Sequence, residues 1–283
     1  MMTILEGIKL STEFFEKKGI ESPRVNAEML LAHVLKCKRL ELYLSFDKPM
    51  KQHEIDEYRD CLRRRAGFEP LQYIIGEVEF YGYPFKVEAP VLIPRPETEI
   101  LIETIISCFT KEDAFSCLDI GTGTGNIAIT LAKHFPDAVI TSIDVNEKAL
   151  DLAGKNAELN GTGNVNFLKG SILEEQTGIA GVFDIIVSNP PYISKEEFEG
   201  LQPEITKFES PLALTDGGDG LNFYRVISEK SSSLLKAGGY LFFEMGQGQF
   251  EEITAIMEAK NFGEIKIVKD YLNIERVIYG VKK

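Results

Sequence analysis

Residues 117–135 read CLDIGTGTGNIAITLAKHF, and the fold class follows from this stretch. A short apolar strand runs straight into Gly121, Thr122, Gly123, Thr124 and Gly125, and a helical pattern begins at Asn126. Glycines let the chain turn tightly at a strand end and bring bare backbone up to a ligand. Strand, glycine loop and helix are the start of a βαβ unit, and the surrounding chain repeats the alternation. Helix 97–109, strand 115–119, helix 126–135, strand 138–143, helix 147–159 and strand 165–168 are predicted in order. Strand 183–188, helix 219–236, strand 239–244, helix 249–260 and strands near 264–268 and 275–280 follow. The pattern implies an α/β fold, a mostly parallel sheet with helices on both faces. Only Lys269 to Ile274 separate the last two strands, too few residues for a helical crossover, so they should close the sheet as an antiparallel hairpin.

Upstream the period is helical. Leu5, Ile8, Phe14 and Phe15 mark one helix, Ala27, Leu30, Leu31, Val34 and Leu35 a second, and Ile55, Tyr58 and Leu62 a third. Ser22 and Pro23 suit the cap and first turn of the second helix, and Gly67 with Pro70 closes the third. Residues 71–93 favour β structure, with a turn at Gly82. The chain therefore divides into a helical domain at 1–70, a β-hairpin linker at 71–93 and the α/β domain at 94–283.

Its 283 residues are 44% hydrophobic and 27% charged, and no apolar run approaches the stretch of about 20 that a membrane helix needs. The first residues carry acids and lysines at helical spacing, unlike a signal peptide, so a cytoplasmic protein with no membrane partner is expected. Residues 1–90 hold 14 Lys+Arg against 15 Asp+Glu, whereas residues 91–283 hold 17 against 29. An α/β domain this acidic repels phosphate backbones, which argues against direct nucleic-acid binding. Cys37, Cys61, Cys108 and Cys117 lack CxxC spacing and stand apart from His33, His53 and His134. Reduced, mostly buried thiols are expected, with no metal site.

A GxGxG loop alone fits nucleotide, flavin or adenosylmethionine sites. Asp144 follows the next strand, where an acid either caps a helix or accepts hydrogen bonds from ribose hydroxyls. The third glycine of a dinucleotide fingerprint is missing, since Asn126, Ile127 and Ala128 follow GTGTG. Asp119, just before the loop, suits the ammonium of a sulfonium cofactor. The loop favours S-adenosylmethionine, and the fold is expected to be a Rossmann-like class I methyltransferase.

Strand 183–188 ends in Asn189, Pro190, Pro191 and Tyr192. Two prolines remove two amide donors and fix the backbone, so the loop presents acceptors in a set geometry. A target NH2 has two hydrogens, one for the Asn189 side-chain oxygen and one for the Pro190 carbonyl. Tyr192 can lay its ring on the flat group that carries the nitrogen. Adenine N6, cytosine N4, guanine N2 and a glutamine amide all present such an NH2.

Outside these motifs, RRRAGFEPLQYIIGEVEFYGYPF at 63–85, VLIPRPETEIL at 91–101, LDIGTGTGNIAI at 118–129, NPPYI at 189–193 and FESPLALTDGGDGLNFYR at 208–225 together resemble the PrmC/HemK family of release factor glutamine methyltransferases. The resemblance covers nearly the whole chain. It implies methylation of the glutamine amide N5 in the Gly-Gly-Gln motif of peptide chain release factors, with the helical domain helping to hold that protein. It also implies that Gly121, Thr122, Gly123, Thr124, Gly125 and Asp144 contact the cofactor. Asn189 would touch both cofactor and substrate, and Pro190, Pro191 and Tyr192 would shape the glutamine pocket. The sequence departs from its relatives at Gly170, Ser171 and Ile172, where they often carry an acid and an aromatic beside the adenine; Ser171 retains a hydrogen-bonding group. Arg95 and Glu97 form a structural ion pair or contact ligand. Arg63 to Arg65 read as a solvated helix end, or as a contact to an acidic face of the release factor. The alternative function is an amino-methyltransferase of nucleic acid, acting on adenine N6 or guanine N2.

Overall fold

Thr3 opens the first helix with a capping box: its hydroxyl accepts the Glu6 N–H, and the Glu6 carboxylate accepts the Thr3 N–H at 2.9 Å. Helix α1, Ile4–Lys18, then runs to Gly19, whose φ of 72° ends it. The computed structural model describes residues 2–175 and 178–283, so Met1, where the expected helical domain begins, lies outside the described residues. Two compact units divide the chain, one of residues 1–77 with 202–208 and one of residues 78–201 with 209–283.

In the first unit α1 is joined by α2 (Pro23–Leu35), α3 (Arg39–Leu42), α4 (Gln52–Ala66) and α5 (Leu71–Ile75). Phe15, Leu30, Leu31 and Tyr58 fill their shared core, and the Tyr58 hydroxyl donates to the Ala27 carbonyl at 2.9 Å. Ser22 precedes α2 with φ 47° but its side chain makes no cap bond. Asn26 secures that turn instead, its amide donating to the carbonyls of Glu21 and Ser22 at 3.0 and 3.2 Å. Residues 71–75, expected as β, form a helix because Pro70 receives the Tyr73 and Ile74 N–H groups and both side chains are buried. Burial here overrides β propensity.

The arginine run also needs correction. Arg63 is exposed beside Asp60 and Arg64 pairs with Glu69, but Arg65 is 5% exposed. Its guanidinium donates to Asn26 Oδ1 at 2.7 Å and the Glu69 carbonyl at 3.1 Å, and pairs with Glu204 at 2.7 Å. Arg65 thus binds residues 202–208 into the helical unit.

The hairpin of β1 (Glu77–Phe80) and β2 (Tyr83–Lys86) turns on Tyr81 and Gly82, both at positive φ, as a two-residue hairpin turn of the primed kind demands. Next come α6 (Thr98–Cys108), β3 (Ser116–Ile120), α7 (Asn126–His134), β4 (Val139–Asp144), α8 (Glu147–Asn160), β5 (Val165–Lys169) and β6 (Phe183–Ser188). After α9 (Lys195–Glu199) and α10 (Pro203–Phe208), the chain forms α11 (Asn222–Leu234), β7 (Leu235–Glu244), α12 (Phe250–Ala259), β8 (Phe262–Lys269) and β9 (Glu275–Lys282).

The seven-stranded sheet has the order β5-β4-β3-β6-β7-β9-β8. β3, β4, β5, β6 and β7 pair in parallel, while β9 runs antiparallel to both β7 and β8. The expected terminal hairpin is present, with its second strand inside and its first at the edge. One apolar cluster joins Leu101, Ile105 and Leu131 to Ile140 and Ile185, and another joins Tyr224, Ile227, Ile253 and Met257 to Ile186 and Phe243. Strand order reverses between β3 and β6, the place where open α/β sheets bind ligands beyond the strands' carboxyl ends. Among the described residues, no helix is long and apolar enough to cross a membrane.

Arg65→Ala should destabilise the helical unit by about 3 kcal/mol, since removal leaves buried partners unpaired; Arg63→Ala should change little. Urea unfolding followed by amide exchange in residues 2–77 checks both, and equal effects would contradict this assignment.

Candidate active site

Every site residue named from the sequence lies at or just beyond a strand's carboxyl end. After β3, Gly121 and Thr122 both donate their N–H to the Ile143 carbonyl of β4, at 2.9 and 3.0 Å. Gly123 donates to Asp144 Oδ2 at 2.9 Å, and Asn146 N–H reaches Asp144 Oδ1 at 2.8 Å. Both carboxylate oxygens are thereby held, and the group is half-buried on the cavity wall. A Cβ at Gly123 would meet nothing within 4 Å, so its backbone faces open space. Gly125 has a packing duty: a Cβ there would come 2.8 Å from Ile129 Cδ1 and 3.1 Å from Ala153 Cβ. Thr122 and Thr124 are buried beneath the loop.

Asp119 is fully buried behind this loop. Ser142 Oγ donates to its Oδ2 at 2.5 Å and shares a hydrogen bond with Thr122 Oγ1, while Asp119 Oδ1 has no hydrogen-bond partner among the described residues. Burial lifts its carboxyl from an ordinary 3.8 to about 7; the Ser142 hydrogen bond opposes the rise and the Asp144 charge adds to it.

The NPPY loop leaves β6 beside the glycine loop. Ser188 Oγ donates to the Ile120 carbonyl at 2.7 Å, joining the two strand ends. Asn189 Nδ2 donates to Thr98 Oγ1 at 3.2 Å. Tyr192 rests against the second core cluster, its phenol pushed well up by burial. Gln249 Nε2 donates to the Tyr192 carbonyl at 3.0 Å, and Ile193 N–H donates to the Leu214 carbonyl at 2.9 Å. Asp216 organises the facing loop, with Oδ1 accepting from Gly218 and Gly220 and Oδ2 from Asn222. Gly220, at φ 76°, lies so close that a Cβ would collide with the Tyr192 carbonyl oxygen.

A cavity of about 400 Å³ opens between these loops. Gly121, Gly123, Asp144, Ser171, Asn189, Pro190 and Pro191 line it together with Val91, Ile143, Ile172 and Leu212. Asp119, Thr122, Thr124, Gly125 and Tyr192 stand behind the lining. Ser171 Oγ accepts the Leu173 N–H at 3.2 Å. Arg95 pairs with buried Glu209 at 2.7 Å rather than with Glu97. Sequence reasoning missed Asp216, Gly220 and Gln249 as supports of the loop. The segment FFEMGQGQ at 242–249 carried the available signal, since it too leaves the carboxyl end of a parallel strand.

A parallel sheet with this order, a glycine loop after its first strand and a proline-fixed loop after its fourth define a Rossmann-like class I methyltransferase. Two solved structures share the fold: a methyltransferase from Pyrococcus furiosus (TM-score 0.54, 21% identity, 72% of this chain and 90% of that one) and a 16S rRNA N2 G1207 methyltransferase from T. thermophilus (TM-score 0.52, 20% identity, 73% and 50%). Family profiles described as PrmC N-terminal domain and methyltransferase small domain match residues 6–76 and 97–222. A release factor glutamine methyltransferase from Fusobacterium nucleatum is 42% identical over 96% of this chain and 77% of its own length. Its counterpart in Chlorobaculum tepidum is 39% identical over 97% and 95%. The chain belongs to the release factor glutamine methyltransferase family.

Two measurements follow from the geometry. Because the fold favours protonated Asp119, the stability it gives is whole below pH 3.8 and is lost as pH rises to about 7. Asp119→Asn should therefore gain about 3 kcal/mol on the wild type between pH 5 and pH 8, read from thermal unfolding at each pH; a constant difference would exclude the shift. Gly220→Ala should cut methyl transfer about tenfold or more by displacing the Tyr192 backbone, with cofactor affinity by calorimetry unchanged.

Proposed function

We propose that the protein transfers a methyl group from S-adenosylmethionine to the side-chain amide N5 of the glutamine in the Gly-Gly-Gln motif of peptide chain release factors. The observation that carries this reading is Asn189 and two prolines on the wall of a cavity that also holds the glycine loop and Asp144. The names of the relatives support the substrate.

The residues present fit the cofactor. Open backbone at Gly123 gives room beside the loop, Asp144 suits ribose hydroxyls, and Val91, Ile143 and Ile172 suit the faces of a purine, with Ser171 at its edge. The partnerless oxygen of Asp119 suits an ammonium reached through water, and Thr122 and Thr124 hold the loop's shape. S-adenosylmethionine bound there supplies an electrophilic methyl on a sulfonium centre. Asn189 Oδ1 and the Pro190 carbonyl accept the two hydrogens of the glutamine NH2, which aims its nitrogen lone pair. Pro191 keeps that carbonyl in place, and Tyr192 narrows the pocket and excludes water. Alignment of two reactants supplies about 7 to 11 kcal/mol, far more than each hydrogen bond's ~1 kcal/mol net. Both acceptors strengthen as positive charge grows on the nitrogen, so they favour the transition state over the ground state. The helical unit serves to hold the release factor, with residues 71–93 as its link to the catalytic part, and the work is done in the cytoplasm without membrane or direct nucleic-acid contact.

Incubation with methyl-labelled S-adenosylmethionine should label a release factor and leave its Gly-Gly-Ala variant, DNA and ribosomal RNA unlabelled. Label on nucleic acid alone would replace the substrate while keeping the NH2 chemistry. Asn189→Ala should lower turnover by about a hundredfold or more and cofactor affinity far less; near-normal turnover would remove Asn189 from its role.

A further inference from the structure

Glu244, the last residue of β7, is 1% exposed, and its Oε2 has no hydrogen-bond partner among the described residues. A buried carboxylate left partly unsatisfied is costly unless something uses it. The Thr98 and Asn189 side chains are its polar neighbours, and both favour its ionised form. Thr98, 1% exposed at the start of α6, also accepts a hydrogen from Asn189 Nδ2. A primary amide has two N–H hydrogens and one carbonyl oxygen. Thr98 takes one hydrogen at 3.2 Å, which leaves the other for the neighbouring Glu244 carboxylate, and both groups are buried.

We infer that Glu244 is a positioning residue for methyl transfer: with Thr98 it engages both hydrogens of the Asn189 amide and so turns Asn189 Oδ1 toward the cavity as an acceptor. The inference rests on the proposed role of Asn189. An amide turned the other way would present NH2 to NH2 and repel the target. An ionised carboxylate can only accept, so it enforces the useful orientation; a protonated one can donate to Oδ1 and release it. Burial raises the Glu244 carboxyl from an ordinary 4.5 to about 7, against the opposing effect of the Thr98 and Asn189 side chains. Glu97 and Tyr192 act on the same neighbourhood, as do Tyr224 from α11 and Arg276 from β9, the last already paired with Asp270 at 2.9 Å. The active orientation therefore gains population as pH rises through about 7.

The test uses the full chain, labelled S-adenosylmethionine and a release factor across pH 5.5 to 9, with wild type, Glu244→Gln, Thr98→Val, Asn189→Ala and the Asn189→Ala/Glu244→Gln double variant. Glutamine keeps the shape of Glu244 but can donate to Oδ1. Its kcat should fall about a hundredfold with KM for the cofactor unchanged, and the rise through neutral pH should shrink. Asp119 titrates in the same range in every variant, so the difference between profiles reports Glu244. The double variant should be no slower than Asn189→Ala, because a residue acting through Asn189 has nothing left to position. Losses that multiply, or a Glu244→Gln enzyme of normal kcat and pH profile, would overturn the inference. Should Glu244→Gln lose its thermal transition, Thr98→Val decides, and normal turnover in that variant overturns it. A release factor left unlabelled by the wild type defeats the substrate reading itself, whereas label that persists in Glu244→Gln defeats only the role of Glu244.

Discussion

Parallel pairing of β3 with β6 is the constraint on which the site depends. The two strands are neighbours in space, although α7, β4, α8 and β5 lie between them in sequence. Their connections leave in opposite directions across the sheet, which opens a crevice at their carboxyl ends. Ser188 Oγ reaches the Ile120 carbonyl there, fixing the start of NPPY against the start of GTGTG. Asp144 arrives from β4 and Glu244 from β7, so four adjacent strand ends supply the groups that matter. No loop has to be long to assemble them.

Much of this was legible because buried parallel strands are continuous apolar runs that stop at glycine, proline or an acid. CLDI, FDIIVS and YLFFE announce themselves in that way, and their ends are the site. What escaped depends on tertiary partners. LQYII has β composition but is helical because Ile74 enters the helical core, with Leu71 and Ile75 packed against it. Arg65 looks like its neighbours and is buried, since only the fold brings Asn26 and Glu204 to it. Arg95 chose distant Glu209 over nearby Glu97 for the same reason. Glu244 reads as the end of a strand until Thr98 stands beside it.

Charge works differently inside and outside the α/β unit. The surface acids that oppose phosphate are ordinary solvated groups, whereas Asp119 and Glu244 are shut away and prefer their protons until near neutrality. Both sit immediately before or at the end of a strand bordering the crevice. The apolar clusters on either face of the sheet offset their cost.

The placement of two late segments bears on how a newly made chain assembles. Arg65 emerges from the ribosome long before Glu204, so the helical unit must hold a buried arginine without its carboxylate, or leave that corner open, until most of the sheet has been translated. β7 likewise has β6 on one side but bare amides and carbonyls on the other until β9 is made. The strand that ends in Glu244 is thus a sticky edge for the interval in which β8 and β9 are synthesised. A pause in translation there would expose the chain to self-association, and a chaperone that covers one strand edge would have most to protect at that moment.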